Sequence, residues 1–259
     1  MTRRWSLISL IAVLAAALAF VVVQVVTWDS TDEEASGRGK PGPSKGGGGD
    51  GSASLRGDGW WPLHGSGTAR AGERDAVVNG RAQWAQDGPN GGALSLAGID
   101  GFADIGTPVI DTAKKDYSVA ARVRLATDQG FRTAVSQDGP GISTFFLQYS
   151  ASDERFAFSF PGARTLAEKT GKPETGRWYH LVGTYSQDEK TMRIYVDGAL
   201  AGERKASAQP RKPGSLVIGR AKSGGRPVDF WKGDIADVHV YERELTADEV
   251  SSLASGEPQ

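Results

Sequence analysis

The chain has 259 residues, enough for one sizeable core or two small ones. Its formal net charge of -1 gives no bulk attraction to nucleic acid or to anionic lipid. It has no cysteine, which excludes disulfides, thiolate metal sites and thiol catalysis, and its 35 glycines and 12 prolines suit a protein of many turns.

The run Leu7 to Val26 carries no charge. As a helix rising 1.5 Å per residue it spans about 30 Å, the thickness of a bilayer core. Arg3 and Arg4 precede it and the acidic stretch from Asp29 to Glu34 follows, so the positive end is expected on the cytoplasmic side. Residues 1–28 are therefore predicted to be a cytoplasmic tip and an uncleaved, single-pass transmembrane signal anchor at the cell membrane. The alternative is a cleaved signal peptide and a secreted protein. Ala17-Leu18-Ala19 supplies the small residues of such a site, but cleavage there leaves the apolar N-terminus FVVVQVVTW. Residues 29–57 have no apolar pattern and include GRGKPGPSKGGGGDGSAS, which predicts a disordered, Gly-rich linker with a reach of about 30 Å.

Residues 58–254 read differently. Asp-Gly or Asn-Gly pairs at Asp58, Asn79, Asp87, Asn90, Asp100, Asp138 and Asp197 separate short alternating segments. In YSVAARVRL, Val119, Ala121, Val123 and Leu125 share one face, and Arg122 and Arg124 the other. Near the end, GDIADVHVYEREL alternates too. Simple period-two phasing puts Ile235, Asp237, His239 and Tyr241 on one side and Ala236, Val238 and Val240 on the other. Many short strands with a turn signal every ten residues or so predict an all-β, antiparallel sandwich. Thr246 and Glu249 stand at capping-box spacing and predict one short closing helix, with residues 255–259 as a C-terminal tail.

The segment GRWYHLVGTYSQDEKTMRIYVDGALAGE, two alternating strands and two turns, resembles the LamG-like jelly-roll domains of the concanavalin A-like lectin/glucanase superfamily. The resemblance is closest to actinobacterial forms. WWPLHGSGTA, GGALSLAGIDGFAD, YSVAARVRL, FRTAVSQDG, FFLQYSA and LVIGRAKSGGRPVDFWKGDIADVHVYERELTADEV match that pattern in order, so it covers nearly the whole globular part. It implies a two-sheet jelly roll.

Because that superfamily includes glycoside hydrolases, catalysis needs testing against the residues. Its hydrolases carry paired carboxylates in a Glu-x-Asp-x-x-Glu strand, and no such string occurs here. The only dense acidic run, Asp32 to Glu34, lies in the linker, and His64, His180 and His239 lack metal-ligand spacing. A non-catalytic binding module is expected, with a glycosidase of unrecognised site as an alternative. The resemblance also implies a calcium ion tying first and last strands together. The aligned ligand positions fall at Gly72, Ala97 and Ala236, none of them a carboxylate, so no cofactor is expected. Asp75, Asp100 or Asp237 are the substitutes that a retained site would need.

Trp84, Trp178, Tyr185 and Tyr195 sit in strand-like text and read as core, whereas Trp60, Trp61, Phe230 and Trp231 adjoin Gly, Pro and Asp and are candidates for exposed ligand-contact rings, with core or packing roles as the alternative. The family's arrangement implies that FRTAVSQDG, FFLQYS and IGRAKSGGRPVDFW converge. The candidate ligand residues are Arg132, Gln137, Asp138, Gln148, Tyr149, Arg220, Asp229, Phe230 and Trp231, with Trp231 as the stacking face. The competing structural reading pairs Arg220 with Asp229, or Arg132 with Asp138, as ion pairs that pin loops. The expected partner is carbohydrate, such as cell-envelope polysaccharide. The alternative is an extracellular protein bound by an adhesion or assembly domain without a sugar site. No nucleic acid partner is expected.

Overall fold

The structure, a computed structural model, describes residue 55, residues 57–208 and residues 211–256. The expected anchor and nearly all of the expected linker lie outside the described residues, as does the end of the tail. Among the described residues no helix is long and apolar enough to cross a membrane.

The strands run in chain order as β1 (Gly59–Trp61), β2 (Val77–Asn79), β3 (Ala82–Ala85), β4 (Ala93–Ala97), β5 (Phe102–Asp104) and β6 (Tyr117–Leu125). Then come β7 (Arg132–Gln137), β8 (Phe145–Ser150), β9 (Arg155–Phe160), β10 (Ala163–Leu166), β11 (Trp178–Ser186) and β12 (Thr191–Val196). The last are β13 (Ala199–Lys205), β14 (Leu216–Ile218), β15 (Ala221–Ser223), β16 (Arg226–Val228) and β17 (Lys232–Tyr241), followed by the helix α1 (Ala247–Ser255). They form an antiparallel sandwich of two large sheets, as a jelly roll does. The first has the order β13-β12-β11-β6-β17-β4-β3, with β1 added against β17. The second has the order β10-β9-β8-β7-β14-β5-β2, and β15 and β16 form a separate hairpin.

Alternation sets the layers. In β6 the predicted face of Val119, Ala121, Val123 and Leu125 is fully buried between the sheets. It meets Leu147, Phe156 and Phe158 from the second sheet in one apolar core. Gly183 of β11 lets the sheets approach, because a Cβ there would lie 2.3 Å from the Phe158 ring. On the outer face of the first sheet, Val250 and Leu253 of α1 pack against Ala120, Val182, Tyr195 and Tyr241. The helix starts with the predicted capping box: Thr246 Oγ1 accepts from the Glu249 amide, and the Thr246 amide donates to Glu249 Oε2. Its last carbonyls receive the Arg122 guanidinium, a cation suited to a helix C-terminus.

The phase of β17 differs from the simple alternation. Its register against β6 shifts between Ala236 and His239, and Asp237 sits in the left-handed region at φ 50°. This is a β-bulge, which inserts one residue and flips the faces beyond it. Ile235, Val238 and Val240 therefore all enter the core, while Tyr241 joins the cluster under α1. The even and odd sets read from the sequence hold only on either side of Asp237.

Candidate functional site

A groove of about 520 Å³ lies on the outer face of the second sheet. Register explains its floor. Phe146 of β8 pairs with Ser159 of β9, which pairs in turn with Arg164 of β10. Residues paired across a sheet point to the same side, so these three share the outward row, and Gln148 follows two residues after Phe146. Gln148 Nε2 donates to Ser159 Oγ at 3.1 Å. Phe131 adds an apolar wall, Phe160 borders the groove while its ring packs in the core against Tyr185, and Arg204 from β13 reaches the rim. Arg164 lies over the Phe131 ring, 5.2 Å from its centroid, and donates to Asp153 at 2.9 Å.

Asp229 completes the lining. It follows the β15–β16 hairpin and is held in the left-handed region at φ 54°, its carbonyl accepting from the Thr133 amide. Non-glycine residues in that region carry strain that the surroundings must hold in place. No side-chain or backbone donor meets its carboxylate among the described residues. Burial pushes its carboxyl above the usual value, while the charges of Arg132 and Arg164 pull the other way.

Of the nine residues expected from the sequence, Gln148 and Asp229 line this groove, and Arg132 stands close enough to influence Asp229. Arg132 itself is tied to the Phe230 carbonyl at 2.9 Å and the Gln129 carbonyl at 3.0 Å. The others are placed elsewhere. Trp231 is 0 % exposed and belongs to the core, so it offers no stacking face. Tyr149 also points into the core, because it neighbours Gln148 on one strand and adjacent strand residues face opposite ways. Gln137 is buried and serves the backbone, accepting from the Val109 and Ile110 amides and donating to the Ile110 carbonyl. Phe230 is half-buried, with its ring 6.5 Å from that of Phe102. Asp138 and Arg220 form a buried pair with each other, at 2.6 and 3.1 Å. The loop-pinning reading is thus right in kind, with partners exchanged: Arg220 holds Asp138, and Arg132 is the arginine near Asp229.

Trp61 likewise takes the core alternative. Trp60 is half-buried and stacks on His239 at 5.2 Å. Phe131, Phe146, Ser159, Phe160, Arg164 and Arg204 also line the groove and are not among the nine expected residues. Strict alternation through FFLQYS and RFAFSF, anchored on the large aromatics that must go inward, picks out Phe146, Gln148 and Ser159.

The residues present do not fit the calcium site that the family pattern implies. Gly72 lies against Gly59, which is opposite Val240, whereas Ala97 is opposite Lys232. From Lys232 to Val240 a strand covers about 27 Å, so Gly72, Ala97 and Ala236 do not form one constellation. Asp237, the acid nearest to Ala236, already has its oxygens engaged. Oδ1 accepts from Trp60 Nε1 at 3.2 Å, Oδ2 accepts from Asn90 Nδ2 at 2.8 Å, and Arg122 Nε is 3.6 Å away. Among the described residues no group of three or more metal-ligating side chains converges.

A family model for the concanavalin A-like lectin/glucanases superfamily matches residues 98–251, more than half of the chain. The chain belongs to this superfamily. Among curated relatives it is similar to neuronal pentraxin-1 of Homo sapiens, 31% identical over 87 residues, which is 31% of this chain and 20% of that protein. It is also similar to pentraxin-related protein PTX3 of Mus musculus, 25% identical over 152 residues, covering 55% of this chain and 40% of that one. The superfamily member described here thus spans well under half of the length of either relative. Among solved structures, domain 4 of AbnA, a GH43 extracellular arabinanase from Geobacillus stearothermophilus in complex with arabinotriose, superimposes with a TM-score of 0.57 and 16% identity. That match covers 77% of this chain and 98% of that one. Trypanosoma rangeli sialidase in complex with sialic acid gives a TM-score of 0.54 at 20% identity, over 76% of this chain and 32% of the sialidase. At such identities the likeness is one of fold.

Proposed function

We propose that this superfamily member is a non-catalytic carbohydrate-binding module whose site is the groove on the second sheet. The observation that carries the reading is Asp229, a carboxylate with no donor of its own, facing a groove that also holds phenylalanine rings and Gln148. Sugars offer apolar C–H faces to rings and hydroxyl donors to carboxylates, so they satisfy both halves of the lining. Asp229 is the only carboxylate in the lining, whereas glycoside hydrolysis by the common routes needs two flanking one bond. This supports binding over hydrolysis, and incubation with a polysaccharide panel tests it by release of reducing ends. The arabinotriose complex of the arabinanase domain adds support for a glycan ligand on this fold.

The deciding experiment is a glycan array with the parent chain and Asp229→Asn. Asn keeps the shape and tolerates the left-handed backbone, but it no longer offers two charged acceptors. Glycan binding that is lost in Asp229→Asn supports the reading; binding that survives unchanged moves the site elsewhere. An absence of any glycan ligand together with specific capture of an extracellular protein favours the adhesion alternative.

The charge-free run Leu7–Val26 and the Gly-rich stretch after it support display of this module outside the cell on a membrane anchor. Protease added to intact cells is then expected to release a soluble fragment that begins in the Gly-rich stretch. A mature chain beginning near Phe20 supports secretion instead.

A further inference from the structure

We infer that the groove is selective for an acidic glycan, one bearing uronate carboxylates, which Arg204 and Arg226 recognise. This rests on the glycan reading of the same groove.

The cations around the groove fall into two kinds. Arg164 is occupied, since Asp153 takes its Nη1 at 2.9 Å. Lys222, on the hairpin above, is likewise committed to Asp138 at 3.0 Å. Arg204 lines the groove, is exposed, and makes one bond, from Nη1 to the Arg164 carbonyl at 3.2 Å. Arg226 stands opposite Ser223 in the β15–β16 pair, and Ser223 lines the groove, so Arg226 projects from the same side of the hairpin. Neither Arg204 nor Arg226 has a carboxylate within salt-bridge distance among the described residues. One guanidinium without an acidic partner, Arg204 of β13, thus lines the groove, and a second, Arg226, stands beside it on the β15–β16 hairpin, next to the lining residue Ser223.

A neutral sugar gives these groups only hydroxyl oxygens to bind. A carboxylate suits the planar guanidinium fork and forms paired, charge-assisted bonds with it. The one acid of the lining among the described residues, Asp229, stands within the field of Arg132, whose positive charge opposes its repulsion of an anion. Asp229 takes sugar hydroxyls, and the two free arginines take the acid groups.

The test is calorimetric titration of the full chain with a short oligouronide and with the same oligosaccharide after its carboxyls are reduced to alcohols. At about 0.1 M salt the oligouronide is expected to bind at least tenfold more tightly, with the advantage shrinking at about 1 M as screening increases. In the double variant Arg204→Ala/Arg226→Ala that preference is expected to vanish. Both side chains are exposed, and circular dichroism checks that the variant folds. Equal or tighter binding of the reduced sugar, or a preference that survives in the double variant, overturns the inference. In either case the groove remains the glycan site if Asp229→Asn weakens whichever sugar binds. If neither oligosaccharide binds and no array glycan does, the inference and the reading beneath it both fall.

Discussion

Arg220 and Asp138 meet through two hydrogen bonds although each is less than a tenth exposed. The Arg220 guanidinium also lies 4.9 Å from the Phe102 ring centroid, and Lys222 reaches the same carboxylate from the surface. Breaking a buried pair from one side strands a charge. Arg220→Ala is expected to cost about 3–5 kcal/mol in urea unfolding. Lys at this position is not expected to restore it, since an ammonium lacks the fork that spans both carboxylate oxygens. A loss below about 1 kcal/mol contradicts a fully formed pair.

Trp231→Ala is expected to act on stability, not on ligand contact. The ring is fully buried in the core, and its truncation is expected to cost about 3–5 kcal/mol. Its Nε1 has no hydrogen-bond partner among the described residues. Trp231→Phe therefore removes volume while also removing an unsatisfied donor, and is expected to cost less than Ala. Comparison of the two midpoints in chemical denaturation checks the order.

Acid is expected to weaken the domain through His180 and His239. Burial lowers the first to about 3, with the Arg122 charge adding to the shift. Burial lowers the second to about 4, with Asp237 opposing. The unfolded chain binds protons at its histidines near pH 6.5, where the native state still refuses them. Stability from these groups is therefore complete above about pH 6.5 and drains away as pH falls towards 4. His239→Phe, which retains a ring against Trp60, is expected to flatten that slope. A melting temperature equally steep in parent and variant between pH 6.5 and 4 counts against this assignment.

Calcium is expected to leave the melting temperature within about 2 °C of its value in chelator. The physical reason is the engagement of both Asp237 oxygens by Trp60, Asn90 and Arg122. A rise of many degrees on adding calcium means that other oxygens have assembled a site.

The sandwich was legible in the sequence because alternation is a local signal: β6, β11 and the α1 capping box each stand within a dozen residues. The groove was legible only in part. Gln148 and Asp229 line it, whereas Tyr149, next to Gln148 on β8, faces the core, and Trp231 is buried between β16 and β17. Within a strand, polarity beside an aromatic is no sign of a shared site, because the pleat makes such neighbours point apart. Arg204 escaped because nothing local in β13 ties it to β10 and β9, and the bulge at Asp237 because aspartate tolerates the left-handed backbone without requiring it. The pairing of Arg220 with Asp138, 82 residues apart, is set by sheet order alone.

The place of β17 has a kinetic consequence. Within the first sheet β4 and β6 are not bonded to each other; each is bonded to β17, which lies between them. During synthesis those two strands wait with open edges until residues 232–241 emerge, more than a hundred positions after β6. Contacts closed over such a distance make folding slow and late. A chain truncated before Lys232 leaves the seam open, with two unpaired strand edges that invite aggregation.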